Sequence, residues 1–150
     1  MSELKAEAVL SIAGAADELY AVIADYTGSH QRIMPAAYHD YAAEATNDAA
    51  GTVVHWVLHV GNHRRPYAMQ VQSTPSERLV VERDRDSSFT TEWRVVPEGA
   101  GSRVRLTSTW QQRSHGFPAL FERLFAPRSL RRLHAETLQL LASEAALEHP

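Results

Sequence analysis

Eight histidines, three tryptophans and no cysteine set the first bounds on what chemistry this chain can do. Without cysteine there is no disulfide, no thiolate metal site and no cysteine nucleophile. His55 and His59 fall on one face of a strand pattern, but four residues of strand hold them about 13 Å apart. Zinc ligands must sit about 2 Å from a common centre, so these two cannot share a metal by themselves. Their face is also opposite to Trp56 and Leu58, which makes it a solvent face, and no metal site or other cofactor is expected. His134 falls on the apolar side of a late helical pattern, beside Leu138 and Leu141. Its ordinary role is a histidine satisfied by a neighbouring hydroxyl or carbonyl. Its functional role would be a polar handle, or a general acid or base, at an interior wall.

Trp56, Trp93 and Trp110 all take the inward parity of their strands. Such residues fill cores, yet three indoles on one concave face also suit a pocket for flat ligands. Arg65 shares parity with Tyr67 and Met69. Pointing inward, it would bind a carboxylate or enolate; near a loop, an arginine more often runs its stem along apolar surface and keeps its head in water. Ser108 shares parity with Trp110 and can supply one hydrogen bond, and Tyr26 and Tyr38 are placed to close a cavity mouth. Several motifs fail on context. Gly99-Ala100-Gly101 lies in a strand-to-strand loop and lacks the third glycine of a phosphate-binding turn. There is no G-x-S-x-G elbow and no H-E-x-x-H pair. Arg123, Arg128, Arg131 and Arg132 make a basic stretch that is read as a solvated helix face.

The elements that must hold these residues follow from periodicity. Phe117 to Leu147 is the longest helical pattern, with Leu120, Phe121, Leu124 and Phe125 on one face, then Leu130, Leu133, Thr137, Leu138, Leu140 and Leu141. Arg132, Glu136, Gln139 and Ser143 form its wet side. Pro127 predicts a kink or short break. Near the N-terminus, Leu4 to Ile12 reads as a strand, and Leu19, Val22, Ile23 and Tyr26 as the stripe of a helix led by Asp17 and Glu18. From Tyr38 the period is two. Strands are expected over Tyr38–Thr46, Thr52–Val60, a segment around Tyr67–Val71, Arg78–Arg83, Phe89–Val96 and a last one around Val104–Trp110. Turn signals at Asn47-Asp48, Gly61-Asn62, Thr74-Pro75-Ser76 and Pro97–Gly101 separate them. The order is strand, one or two short helices, six strands and a long helix. Short turns make the strands an antiparallel meander, and its apolar face needs the terminal helix as cover.

A length of 150 residues suits one domain spanning 1–150 with a real core. The formal charge of −3 gives no sign of nucleic-acid binding. No apolar run approaches about 20 residues, so no stable membrane insertion is expected, and the N-terminus lacks a signal-peptide core. The expectation is a cytoplasmic protein, monomer or homodimer.

With Ala15-Ala16-Asp17-Glu18-Leu19-Tyr20, Asp25-Tyr26, Arg32-Ile33-Met34-Pro35, Gly51-Thr52-Val53-Val54, Gly101-Ser102-Arg103-Val104 and Phe125-Ala126-Pro127-Arg128, nearly the whole chain resembles the helix-grip superfamily. That group includes START domains, the birch-pollen-allergen fold and the bacterial polyketide cyclase/dehydrase proteins. The resemblance implies an α+β fold in which a curved antiparallel seven-stranded sheet wraps a long C-terminal helix. It also implies a cavity for a lipophilic or aromatic small molecule. In such a cavity the expected ligand-binding set is Tyr26, Tyr38, Trp56, Leu58, Tyr67, Met69, Phe89, Trp93, Ser108, Trp110, Phe121, Leu130 and His134. Members range from carriers to cyclases, and fold alone does not choose between them. Binding of a hydrophobic or aromatic ligand is the leading expectation. The alternative is a cyclase, aromatase or dehydratase using Arg65, Tyr67, Ser108 and His134. A regulatory or interaction domain with a filled core is a third reading, favoured by a cavity below about 300 Å³.

Overall fold

The computed structural model describes residues 3–45, 51–111 and 117–148, with the side chains of 117–126 and 148 outside that description. Strand β1 (Glu3–Ile12) leads into helix α1 (Ala16–Ala24) and a 3₁₀ turn (Ser29–Ile33). Six strands follow: β2 (Tyr38–Ala45), β3 (Thr52–Val60), β4 (His63–Thr74), β5 (Leu79–Asp84), β6 (Thr90–Glu98) and β7 (Gly101–Gln111). Helix α2 (Phe117–Glu148) comes last. All seven strands form one antiparallel sheet in the order β1-β7-β6-β5-β4-β3-β2. This is the expected helix-grip architecture.

Parity works as the alternation predicts. Val54 and Trp56 on β3, Tyr67, Met69 and Val71 on β4, Trp93 and Val95 on β6, and Val104 and Leu106 on β7 are buried. On α2 the buried line is Leu130, His134, Thr137, Leu138, Leu141 and Ala145, while Arg132, Glu136, Gln139 and Ser143 are exposed. The helix packs against β1, where Ala6 and Ala8 on the inner face keep the strand's surface low. Pro127 does not break α2, which runs unbroken for 32 residues. The proline itself is buried; its cost of about 3 kcal/mol falls on a helix whose apolar face is fixed by tertiary packing. Pro66 pairs with Val57 on one side and lies beyond the reach of β5, whose pairing begins at Met69. It therefore sits on a free edge, where a missing N–H does no harm.

Two local departures from regularity shape the interior. In β2 the register shifts between His39 and Ala42, and Asp40 takes φ 57. Two residues thus stand opposite Trp56, a β-bulge. In a regular strand Tyr38 and Tyr41 would face opposite sides; here both approach the Trp56 ring, at 5.6 and 6.3 Å between centroids. After α1, the Asp25 carboxylate accepts from the Ser29 amide (3.1 Å) and Ser29 Oγ donates to the Val22 carbonyl (2.9 Å). That closure folds His30 inward, where it is fully buried.

The ends of β1 and β7 meet closely at Gly101, where an added Cβ would lie 2.6 Å from the Ile12 carbonyl oxygen. Backbone cannot yield as a side chain would. Gly101→Ala is expected to lower stability by about 1–3 kcal/mol. Gly99, at φ +58 with open space around it, should lose only about 1 kcal/mol to the same change. Urea midpoints at unchanged slope compare the two; equal losses would show that the contact at Gly101 is relieved without cost.

Candidate functional site

The concave face, the 3₁₀ turn and α2 enclose a cavity walled by the rings of Tyr38, Trp56, Tyr67, Phe89 and Trp93, by Met34, Leu58 and Leu106, and by the polar side chains of His30, Glu82, Thr91, His134 and Thr137. Rings run along the sheet in contact: Trp56–Tyr67 at 6.5 Å, Tyr67–Phe89 at 5.1 Å and Phe89–Trp110 at 5.7 Å. Its volume is about 30 Å³, room for about two waters. A roomier hollow of about 300 Å³ lies between Ala13-Gly14, the first turns of α1 and Ala145-Ala146. Apart from Glu18 it is lined by apolar or small residues, and it has no histidine or aromatic ring, so the chemistry points to the smaller space.

Of the residues picked from sequence, Tyr38, Trp56, Leu58, Tyr67, Phe89, Trp93 and His134 wall this cavity. Met69 and Leu130 are buried in the surrounding core, and Trp110 is half-buried beyond Phe89. Tyr26 does not close a mouth: it is 2% exposed and donates its hydroxyl to Glu82. The Phe121 side chain lies outside the described residues. Arg65 keeps its head at the surface, half-exposed, with its guanidinium carbon 4.7 Å from the Tyr67 ring centroid and Nη2 3.8 Å from Asp84 Oδ2. His59 stacks on His39 across the strand pair, centroids 3.8 Å apart, on the outer face. Among the described residues no three His, Asp or Glu side chains converge as metal ligands.

Two polar groups meet the cavity. The first joins β6, β7 and α2. Ser108 Oγ lies 2.7 Å from His134 Nε2 and 2.6 Å from Thr91 Oγ1. Burial pushes the His134 pKa down to about 4, so at neutral pH its ring is uncharged and can take or give the Ser108 proton. A hydroxyl against a neutral imidazole is the elementary nucleophile–base pair, and equally a buried pair that satisfies itself.

The second group was not anticipated. Glu82 is 3% exposed on the inner face of β5. Tyr26 donates to its Oε2, and Trp93 Nε1 donates to the same oxygen at 3.3 Å. Burial raises the Glu82 pKa to about 7, against the lowering effect of these two donors. His30 stacks on Tyr26 at 3.9 Å and meets the Trp93 edge at 5.6 Å. Its pKa is pushed down to about 4 by burial. The sequence marks neither Glu82, which follows three consecutive apolar residues with no alternation, nor His30.

A family profile described as polyketide cyclase / dehydrase and lipid transport matches residues 3–146. Among solved structures, the KanY protein is 31% identical, with 97% of this chain and 99% of that one covered at a TM-score of 0.84. The Zhui aromatase/cyclase from Streptomyces sp. R1128 is 18% identical, with 97% and 94% covered and a TM-score of 0.79. Norcoclaurine synthase from Thalictrum flavum, solved with dopamine and hydroxybenzaldehyde, is 16% identical, with 99% and 89% covered and a TM-score of 0.72. At these identities the last two share the fold alone. No curated protein matches the sequence.

The interior groups give stability a defined pH dependence. Glu82 binds its proton more tightly folded (about 7) than at its ordinary 4.5. Its contribution is therefore complete below about pH 4.5 and lost as pH rises through 7. His30 and His134, lowered from 6.5 to about 4, act oppositely: their contribution is complete above pH 6.5 and lost as pH falls through 4. Glu82→Gln mimics the protonated carboxyl. It is expected to match the parent below pH 4.5 and to gain on the order of 3 kcal/mol above pH 7. Urea unfolding at the two extremes measures the gap; a gap that does not change with pH would mean that Glu82 titrates normally.

Proposed function

This chain belongs to the polyketide cyclase / dehydrase and lipid transport family, and on that premise we propose that it binds a hydrophobic or aromatic small molecule, lipid- or polyketide-like, between the sheet and α2. One observation carries the reading: the aromatic-walled space contains a glutamate, two histidines and threonine hydroxyls that a filled core would do better without. Buried polar groups cost stability unless paired, and clusters of them with displaced pKa values gather at functional sites. Volume by itself favours the filled core, because about 30 Å³ is far under the roughly 300 Å³ of a small-molecule pocket. Polarity supports the ligand: a core closed for packing alone is more stable without a buried ionisable carboxyl. A ligand then has to widen the space, displacing water and turning rings of the wall.

Under this reading the protein is one domain over residues 1–150 that works without a cofactor, in the cytoplasm, as a monomer or homodimer. No helix among the described residues is long and apolar enough to cross a membrane.

Enzymatic turnover is the second reading, favoured by the 2.7 Å contact of Ser108 with His134, itself a residue of the cavity wall. Positioning a reactive chain in a dry pocket would supply much of the rate, with Ser108 and His134 moving protons. Arg65 and Tyr67 would then act at the rim.

Native mass spectrometry of freshly purified protein, with its organic extract analysed in parallel, is expected to reveal a stoichiometric small-molecule adduct. A bare mass, together with no shift in unfolding temperature across a panel of hydrophobic aromatics, would return the cavity to the filled-core reading. If the extracted compound is converted on incubation, Ser108→Ala should cut turnover by about 100-fold or more with binding retained. Undiminished conversion would remove Ser108 from the chemistry.

A further inference from the structure

His30 enters the interior with one ring nitrogen committed and the other not. Its Nδ1 lies 2.6 Å from the Ile23 carbonyl oxygen. A carbonyl can only accept, so Nδ1 carries the proton and Nε2 of the neutral ring is a bare acceptor. That Nε2 is buried with no hydrogen-bond partner, 3.8 Å from Glu82 Oε2, beyond hydrogen-bonding range. A buried acceptor left unmade costs about 1–3 kcal/mol. Stacking on Tyr26 and the edge of Trp93 fix the ring's plane, so the nitrogen cannot turn away. Both donors to Glu82, from Tyr26 and Trp93, engage Oε2. His30 and Glu82 face the same small cavity, which has room for about two waters or a ligand's terminal hydroxyl.

We propose that His30 Nε2 and the Glu82 carboxyl form a hydroxyl anchor, in which a phenolic or enolic O–H of the ligand donates to His30 and its oxygen accepts from the carboxylic acid. The anchor rests on the ligand-cavity reading and specifies the ligand's polar end. Only a group that both donates and accepts satisfies the two sides. An ether or ketone brings no donor and leaves Nε2 unpaired. A carboxylate brings negative charge beside Glu82, and an ammonium donates but cannot accept the carboxyl proton. Water meets the requirement in the unliganded protein, and a hydroxyl replaces it with an aromatic body attached, lying along Trp56 and Tyr67. With Glu82 near 7, the acid form is well populated in mildly acidic solution.

Isothermal titration of the full chain with 2-naphthol, 2-methoxynaphthalene and 1-naphthylmethylamine, below the Glu82 value, tests the anchor. 2-Naphthol should bind at least about tenfold tighter than the methyl ether, and His30→Phe, which keeps the ring and loses the acceptor, should bring the ratio to about one. Because His30 also ties the 3₁₀ turn to Ile23, a wild-type measurement stands beside the variant. The ¹⁵N resonance of His30 Nε2 should move upfield with 2-naphthol, as a nitrogen does on gaining a stronger donor, and the opposite way with the ether. Equal affinities for alcohol and ether would overturn the anchor and leave the cavity standing. Tightest binding of the amine would overturn it in favour of an ammonium site. If none of the three binds, the ligand-cavity reading falls and the anchor falls with it.

Discussion

One helix has to cover the inner face of a seven-stranded sheet, and most of the structure follows from that mismatch. Six inter-strand gaps span roughly 29 Å, whereas a helix with its side chains is about 10–12 Å across. Helix α2 settles on the β1 side, where Ala6 and Ala8 allow a close approach. The far flank, β2 to β6, has to be closed by other means. Sheet curvature, α1 and the 3₁₀ turn supply some of the cover. Large rings supply the rest, which is why Tyr38, Tyr41, Trp56, Tyr67, Phe89 and Trp93 gather on that side. The cavity lies between the helix and this aromatic flank.

The same geometry explains how polar groups come to be buried. Glu82 sits in mid-sheet under the 3₁₀ turn, too deep to reach water, and is tolerated because Tyr26 and Trp93 both donate to it. These donors come from separate elements, the turn after α1 and β6. The carboxyl therefore ties the α1 end to the sheet as well as facing the cavity. Truncating it would leave a tyrosine hydroxyl and an indole N–H unpaired in the interior, which is costlier than losing the bonds themselves. His30 is held by a backbone carbonyl, a stacked ring and an indole edge. So many constraints on one side chain fix its orientation whether or not a ligand is present.

What was legible in the sequence was whatever periodicity controls. The strand parities of Trp56, Tyr67 and Trp93, the stripe of α2 from Leu130 onward and the place of His134 on it all follow from period two or 3.6, and all stand; the Leu120, Phe121, Leu124 and Phe125 side chains lie outside the described residues. What was not legible depends on features without a period. In β5, Leu79, Val80 and Val81 are consecutive apolar residues, so the pattern does not say which face turns inward, and Glu82 passes as a surface charge. His30 faces inward because of the Asp25–Ser29 closure, a set of local hydrogen bonds with no repeating signature. Tyr41 joins Tyr38 at Trp56 only through the bulge at Asp40. Tyr26 follows the apolar stripe of α1, but nothing in that stripe shows the Glu82 carboxyl that draws its hydroxyl inward and away from a cavity mouth.

The two interior polar groups also limit what charge the cavity can accept. His30 and His134 are held neutral by burial until pH approaches 4, so neither offers a positive charge near neutrality. Arg65, the cation anticipated from the strand pattern, stands at the surface over Tyr67 with its head toward Asp84. Among the described residues, the cavity wall near neutral pH therefore carries either no charge or the single negative charge of Glu82. An anionic ligand group would have to shed its water and sit against that carboxyl, with no buried cation among the described residues to receive it. Neutral groups that can both donate and accept face no such penalty, and the apolar remainder of such a molecule would gain by covering aromatic surface. Selectivity here thus comes as much from the positive charge withheld from the interior as from the hydrogen bonds offered.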